Sequence, residues 1–291
     1  MNIIFGDIGN TLTKICLVNN KKFKIKKTFY FKSSEILIKK LLSKNIKEIF
    51  KNKSLYNVAI FSSVAPKYEI IMREFFKKNY KIKVMEIKKS PITNLIKINI
   101  KNSKQVGSDR IANAIGALKK YKANCIILDF GTATTFDVVT KEGSYNGGVI
   151  APGVSLSLTS LVNSADQIPK FALTKQNKVV GKNTLEALRS GFYWGYSGLI
   201  NNIILKIERE TQKKYKILFS GGYADLFKTS ITRSFTVDKN ITINGIIQIF
   251  KTNKEYFIIR SKKASNEYLC KQIRELDNKK MEFQNEYKTH A

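Results

Sequence analysis

Histidine is almost missing from this chain. Its 291 residues include one, His290, at the second-last position. Chain termini are usually mobile, so a mechanism needing histidine as base, triad member or metal ligand is close to excluded. Cysteine is scarce as well: Cys16, Cys125 and Cys270 lie far apart, with no C-x-x-C spacing. That rules out a cysteine-rich zinc site and argues against a disulfide framework. The expected setting is therefore reducing and cytoplasmic. Long apolar runs are lacking too. The longest uncharged stretch, 143–165, contains Gly, Asn, Pro and several Ser, which suits a loop and a helix rather than a bilayer span. No basic segment precedes the apolar opening residues, so no secretory signal is expected. Acidic residues are few, 22 Asp+Glu against 52 Lys+Arg. Any catalysis falls to Asp, Glu, Lys, Arg, Ser, Thr and backbone amides.

The composition that remains is globular, 43% hydrophobic. The length suits one large domain or two medium ones. A formal net charge of +30 has two explanations: binding of nucleic acid or an anionic surface, or a drift of composition toward Lys, Ile and Asn. The drift is favoured, because the lysines are scattered and no aromatic–basic interleaving of the RNA-binding type is present. Nucleic acid is therefore not an expected partner, although the charge still steers anionic ligands.

Apolar patterning predicts strands at 2–5 and 15–18 around a Gly/Asp/Asn/Thr turn, then at 23–31, 58–62 and 82–86. Helices are predicted over 35–50, 67–79 and 108–121, the last with Ser108 as a cap and Asp109 in its first turn. Strands at 125–128 and 136–139 flank a second Gly/Thr turn, and another covers 216–219. A long helix, or a pair broken by Gly191, Gly195 and Gly198, spans 183–211. A closing helix covers 244–251. From Thr252 the chain turns rich in Lys, Glu, Asn and Gln, which reads as an appended helix or a loosely held extension.

The most informative feature is a repeat. Residues 3–15 read IIFGDIGNTLTKI and residues 125–137 read CIILDFGTATTFD. Aligned at Asp7 and Asp129, each gives an apolar run and then Asp-x-Gly-[Asn/Thr]-x-x-Thr, pairing Gly9 with Gly131 and Thr13 with Thr135. A buried strand thus delivers an Asp to its end, and Gly lets the backbone turn tightly and approach a ligand. Hydroxyls and free N–H groups at such a turn make an anion cradle. The carboxylate cannot hold phosphate directly, but it can bind a cation, or water on a cation, that neutralises phosphate. One Asp-x-Gly is a common hairpin turn. Two copies nearly half a chain apart suggest two similar lobes.

Two such hairpins resemble those of the acetate kinase, sugar kinase, Hsp70 and actin superfamily. In detail the chain resembles the type III pantothenate kinases, which phosphorylate pantothenate with ATP at the start of coenzyme A synthesis. The first phosphate motif, D-x-G-N-T-x-x-K, matches Asp7, Ile8, Gly9, Asn10, Thr11, Leu12, Thr13 and Lys14. The pantothenate motif G-x-D-R matches Gly107, Ser108, Asp109 and Arg110. The second phosphate motif runs from Asp129 to Thr135. An interface motif G-G-x-I-x-P-G matches Gly147, Gly148, Ile150, Pro152 and Gly153. A G-x-N-T segment ends at Thr184, and an adenosine-type G-G is Gly221-Gly222. Where the family usually has Tyr-x-Asn-Pro, this chain has Ile100-Lys101-Asn102-Ser103.

The resemblance implies an α/β fold of two duplicated ribonuclease H-like, actin-like ATPase lobes with a nucleotide cleft between them. It places an N-terminal lobe at 1–115, a C-terminal lobe at 116–253 and a basic extension at 254–291. It implies ATP and Mg²⁺ held through residues 7–14 and Thr132, with Lys14 reaching the phosphates. It implies a monovalent cation, K⁺ or NH₄⁺, at Asp129, and pantothenate on Gly107, Ser108, Asp109, Arg110 and Thr184. Asp109 becomes the expected general base, held ionised with a low pKa at a helix N-terminus. A homodimer with no membrane association is expected. The alternatives are another small-molecule kinase on the same scaffold or a nucleic-acid-associated regulatory protein.

Overall fold

The computed structural model describes residues 2–50, 55–165 and 167–261. Its first strand, β1 (Asn2–Ile8), is buried along nearly its whole length, with Asp7 the only half-exposed position. A strand covered on both faces belongs in the middle of a sheet, and β1 is there. β2 (Leu12–Asn19), β3 (Ile25–Lys32), β4 (Leu55–Ser63) and β5 (Lys83–Glu86) surround it in the order β3-β2-β1-β4-β5. β1 runs antiparallel to β2 and parallel to β4, which is parallel to β5.

One face of this sheet is covered by α1 (Lys39–Phe50) and α2 (Pro66–Tyr80). Leu42, Ile46, Met72 and Phe76 share a core with Ile4, Ile15, Leu17 and Phe61. A helix was expected from residue 35. Residues Ser33–Leu37 instead form a 3-10 turn, and Ile38 is extended before α1 begins. The cause is Ser33, whose backbone N–H donates to Thr11 O at 2.9 Å and holds the segment to the connection before β2. After β5 come the two-residue strand β6 (Lys97–Ile98) and α3 (Ser108–Tyr121). In the same unit α6 (Ile241–Thr252) packs on α3: Thr242 Oγ1 donates to Asn113 Oδ1 at 2.7 Å. Phe250 of α6 meets Phe5 of β1 edge to face.

The second sheet carries β11 (Phe235–Val237), β10 (Lys216–Gly221), β7 (Cys125–Phe130), β8 (Ala133–Thr140) and β9 (Ser144–Pro152) in the order β11-β10-β7-β8-β9. β7 repeats β1: it is buried except for one half-exposed position, Asp129, just before its last residue. It is antiparallel to β8 and parallel to β10. α4 (Val154–Ser164) and α5 (Thr184–Thr211) join its core through Leu158, Tyr193, Ile200 and Ile204. α5 is one helix straight through Gly191, Gly195 and Gly198. Burial of its apolar side chains outweighs the weak helix propensity of three glycines. β9 lies in the stretch expected to be loop. Its glycines mask the alternation of exposed and buried residues that the strand shows.

The units do not divide the chain as expected. Among the described residues, one takes those up to Ile98, Asn102–Lys119 and those from Thr242 to Ser261; the other takes Asn99–Lys101 and those from Lys120 to Ile241. The closing helix therefore packs with the first unit and not with 116–253. The extension expected at 254–291 begins as α7 (Lys254–Ser261), which is firmly packed: Tyr256 and Phe257 are buried, and Asn253 Nδ2 donates to Pro91 O at 2.9 Å. Its residues 262–291 lie outside the described residues. No helix among the described residues is long and apolar enough to cross a membrane.

α6 can approach α3 because residue 245 has no side chain. A Cβ there would stand 1.8 Å from Ala112 O. Gly245→Ala should cost about 1–3 kcal/mol of stability through overpacking. Urea unfolding measures it, and unchanged stability would mean that the helices do not depend on this contact.

Candidate active site

The first turn is built on β1. Asp7 stands opposite Lys14 across the β1–β2 pair and beside Ser62 of β4. Gly9–Thr11 form the connection, with Asn10 and Thr11 exposed. Gly9 N–H donates to Leu12 O at 3.1 Å, and a Cβ on Gly9 would lie 2.9 Å from that oxygen. Lys14 is largely buried, and its ammonium stands 5.5 Å from the Tyr30 ring centroid. Two motif positions turn inward. Ile8 is in the core, and the Thr13 hydroxyl is fully buried against Ser33 Oγ at 2.8 Å. Neither side chain is offered to a ligand, contrary to the literal motif reading.

The Gly107–Arg110 segment opens α3 at the same edge of the unit. Ser108 Oγ accepts the Ser63 N–H and donates to Ser63 O, both at 2.8 Å. Its hydroxyl therefore ties α3 to the end of β4, next to Asp7, instead of capping the helix. A Cβ on Gly107 would meet Asp109 Oδ1 at 2.4 Å, so glycine makes room for that carboxylate. Asp109 Oδ1 accepts the Arg110 N–H at 2.8 Å. Burial nevertheless pushes Asp109 above the ordinary Asp value, and the Arg110 N–H, the Arg110 charge and Lys88 offset only part of it. The expectation of a low pKa is thus corrected: desolvation outweighs the helix N-terminus.

Sequence reasoning missed Glu86, the last residue of β5. It is 6% exposed, and its Oε1 is buried without a hydrogen bond. Oε2 accepts the Lys88 N–H at 2.9 Å. Lys88 Nζ in turn donates to the carbonyls of Lys104 and Val106, each at 2.9 Å, which anchors the approach to Gly107. Burial, followed by the charge of Glu69, raises Glu86 to about 7. Its only sequence signal was an acid ending an apolar run.

In the second unit, Asp129 stands opposite Thr135 and beside Ser220 of β10. Here Gly131 N–H donates to Ala133 O at 3.1 Å. The connection is Gly131-Thr132, one residue shorter than Gly9–Thr11. Strand register therefore matches Thr134, not Thr135, to Thr13, and both are fully buried. Glycines crowd this edge. A Cβ on Gly153 would lie 2.1 Å from Thr132 O, and one on Gly221 (φ +85°) would lie 2.7 Å from Asp129 Oδ1. Asp129, Thr132, Gly153 and Gly221 are thus drawn together. Thr184 stands apart from that cluster, at the first turn of α5. It lines a groove of about 950 Å³ with Pro152, Leu161, Phe192 and Tyr196. Ile100, where the resembling family has Tyr, lies beside Gly147 of β9: a Cβ on that glycine would be 3.5 Å from it.

The raised Glu86 has a stability consequence. Between about 4.5, its unperturbed value, and about 7, the folded state holds a proton that the unfolded state has lost. Stability contributed by the neutral acid is present below that window and lost as pH rises through it. Glu86→Gln should therefore raise the melting temperature at pH 8 relative to the parent, with the gain shrinking toward pH 5. A gain independent of pH would show that Glu86 is ionised in the folded protein at both values.

The sequence profile of the type III pantothenate kinases matches residues 3–206. The type III pantothenate kinase of Pelagibacter ubique is 53% identical over 249 residues, 84% of this chain and 97% of that protein. The one from Jannaschia sp. is 38% identical over 196 residues, 67% of this chain and 76% of that protein. Two solved structures share the fold at low identity. One is the activator of 2-hydroxyisocaproyl-CoA dehydratase from Clostridium difficile with bound ADPNP, with a TM-score of 0.53 at 10% identity over 88% of this chain and 97% of that one. The other is the ethanolamine utilization protein EutJ from Carboxydothermus hydrogenoformans, with a TM-score of 0.54 at 12% identity over 86% of this chain. The fold is the actin-like ATPase fold, and the chain belongs to the type III pantothenate kinase family.

Proposed function

We propose that this chain transfers the γ-phosphoryl group of ATP to the primary hydroxyl of pantothenate, giving 4′-phosphopantothenate and ADP, with Asp109 as general base. The observation that carries this assignment is the Ser108–Ser63 tie, which sets Asp109 at the same edge as the Asp7 turn. Transfer to an alcohol needs phosphate charge neutralised, the hydroxyl aligned and its proton removed. The Gly9 and Gly131 N–H groups are spent inside their turns, on Leu12 O and Ala133 O; the N–H groups that follow them in each turn bind phosphate oxygens. Lys14 adds a point charge. Arg110 pairs with the pantothenate carboxylate, and the residues around Gly107 seat the alcohol. Asp109 takes the hydroxyl proton as the new P–O bond forms, and its raised pKa makes it a stronger base than an exposed aspartate.

The donor set fits two cations. Among the described residues no three His, Cys, Asp or Glu side chains cluster, so neither ion has an all-protein cage. Mg²⁺ that keeps waters and phosphate oxygens needs one or two carboxylates, and Asp7 serves. When bound, Mg²⁺ neutralises the β- and γ-phosphate oxygens. Asp129, with backbone carbonyls crowded beside it, suits the larger K⁺ or NH₄⁺. The setting is cytoplasmic, where ATP and a reduced pool are available.

We further propose that the chain acts as a homodimer through the groove that Thr184 lines, so that Thr184 contacts pantothenate across the pair. Supporting this, Ile150, Leu156 and Leu161 are exposed on this unit, and among the described residues a Cβ on Gly191, Gly195 or Gly198 would meet nothing within 4 Å beyond its own helix. Leu161→Arg should yield monomers by size-exclusion chromatography and lose activity; a fully active dimer would remove this interface.

The test of function is ADP release from MgATP in K⁺ buffer with and without pantothenate. Release that depends on pantothenate and falls when Na⁺ replaces K⁺ is expected. Release without pantothenate, or with another alcohol only, would overturn the substrate. Asp109→Asn should lower kcat by about 10²–10⁴-fold, the usual worth of a general base, and the parent's acid limb should lie above the ordinary aspartate value. Unchanged kcat in a folded variant would remove Asp109 as base.

A further inference from the structure

Ser33 lies outside every motif of the chain, yet it makes two contacts with the first turn and a third with Thr13 of β2. It is fully buried. Its Oγ donates to Gly9 O at 2.7 Å. Its backbone N–H donates to Thr11 O at 2.9 Å. Its Oγ also meets Thr13 Oγ1 at 2.8 Å. Two carbonyls of one three-residue connection are thus drawn toward a single side. A trans peptide is planar, with its N–H opposed to its C=O. Turning the Gly9 carbonyl toward Ser33 points the Asn10 N–H away from it, and turning the Thr11 carbonyl does the same for the Leu12 N–H.

We infer that Ser33 is a positioning residue for ATP: it fixes the peptide planes of the Gly9–Thr11 turn so that their N–H groups face the phosphates. This rests on the proposal that the turn binds phosphate. The second turn supports it by contrast. Thr134, the register partner of Thr13, has a buried hydroxyl with no hydrogen bond, and no serine replaces Ser33 there. There Gly153 takes the place of Ser33 after the pairing strand, so close that a Cβ on it would lie 2.1 Å from Thr132 O. A longer connection has more freedom to flip its peptides and needs the extra ties. Preorganised donors cost no reorganisation when the ligand arrives.

The test compares Ser33→Ala, Ser33→Thr, Gly9→Ala and Ile46→Val in steady-state kinetics and thermal unfolding. Ser33→Ala should raise KM for ATP about tenfold, the scale of one or two lost hydrogen bonds, while KM for pantothenate stays within about twofold. Ser33→Thr restores the hydroxyl and should recover most of the ATP affinity. Ile46→Val loosens the same core and should lower the melting temperature with KM for ATP unchanged. If Ser33→Ala raises both KM values together, or shifts KM for ATP no more than Ile46→Val does, Ser33 is merely structural. Gly9→Ala separates the two levels. If it raises KM for ATP and Ser33→Ala does not, the Ser33 assignment alone falls. If neither variant moves KM for ATP, phosphate binding at the turn falls with it.

Discussion

A carboxylate at the tip of a strand that is otherwise buried is the constraint on which each unit depends. Asp7 and Asp129 are the half-exposed residues before the last position of β1 and β7. Such a group must remain hydrated or meet a cation, because burying it unpaired is costly. Central strands deliver it, since they carry no other polar residue near the tip. Parallel neighbours then bring further chain ends to the same edge: β4 with Ser63 beside β1, and β10 with Gly221 beside β7. Loops that follow strand ends in such sheets are where ligands bind in open α/β proteins. Here α3 begins at one such edge, fastened by Ser108, and Gly153 and Gly221 press on the other.

Much of this was legible in the sequence. Apolar runs before Asp7 and Asp129 are long enough to be strands, and the Gly after each can only serve a tight turn. What the residues could not display was register. Aligned by letters, Thr13 pairs with Thr135; the strands pair it with Thr134, because the second connection is a residue shorter. β9 was missed because Gly147 and Gly148 remove the side chains whose alternation marks a strand. α5 was left open as one helix or two because propensity is a local quantity, whereas burial of Tyr193, Ile200 and Ile204 is not. α6 was assigned to the wrong unit for a similar reason: nothing in its sequence says that Gly245 will lie on Ala112. Ser33 and Glu86 were invisible because a serine in a polar stretch and an acid at a strand end are ordinary until their partners are known.

The two hidden residues act on the same edge by opposite means. Ser33 satisfies carbonyls, so the turn costs no buried polar group. Glu86 does the reverse, leaving Oε1 buried and unbonded near the base of α3. Its carboxyl is held near neutrality by burial and by Glu69, and Lys88 lies close to both Glu86 and Asp109. Below about pH 7, where Glu86 holds its proton, Lys88 acts on Asp109 and on the loop carbonyls it already holds.

Base strength follows from that balance. A carboxylate held low by the helix N-terminus would take a proton only late in a loose transition state. Burial moves Asp109 the other way, upward, while the neighbouring Arg110 limits the shift. In the proposed reaction, the same desolvation that would make it a better base also makes its proton affinity depend on Arg110. Removing that charge would raise Asp109 further and draw the acid limb of kcat upward with pantothenate saturating. Asp109 and Arg110 are adjacent in G-x-D-R, and the charge of the second lowers the proton affinity of the first.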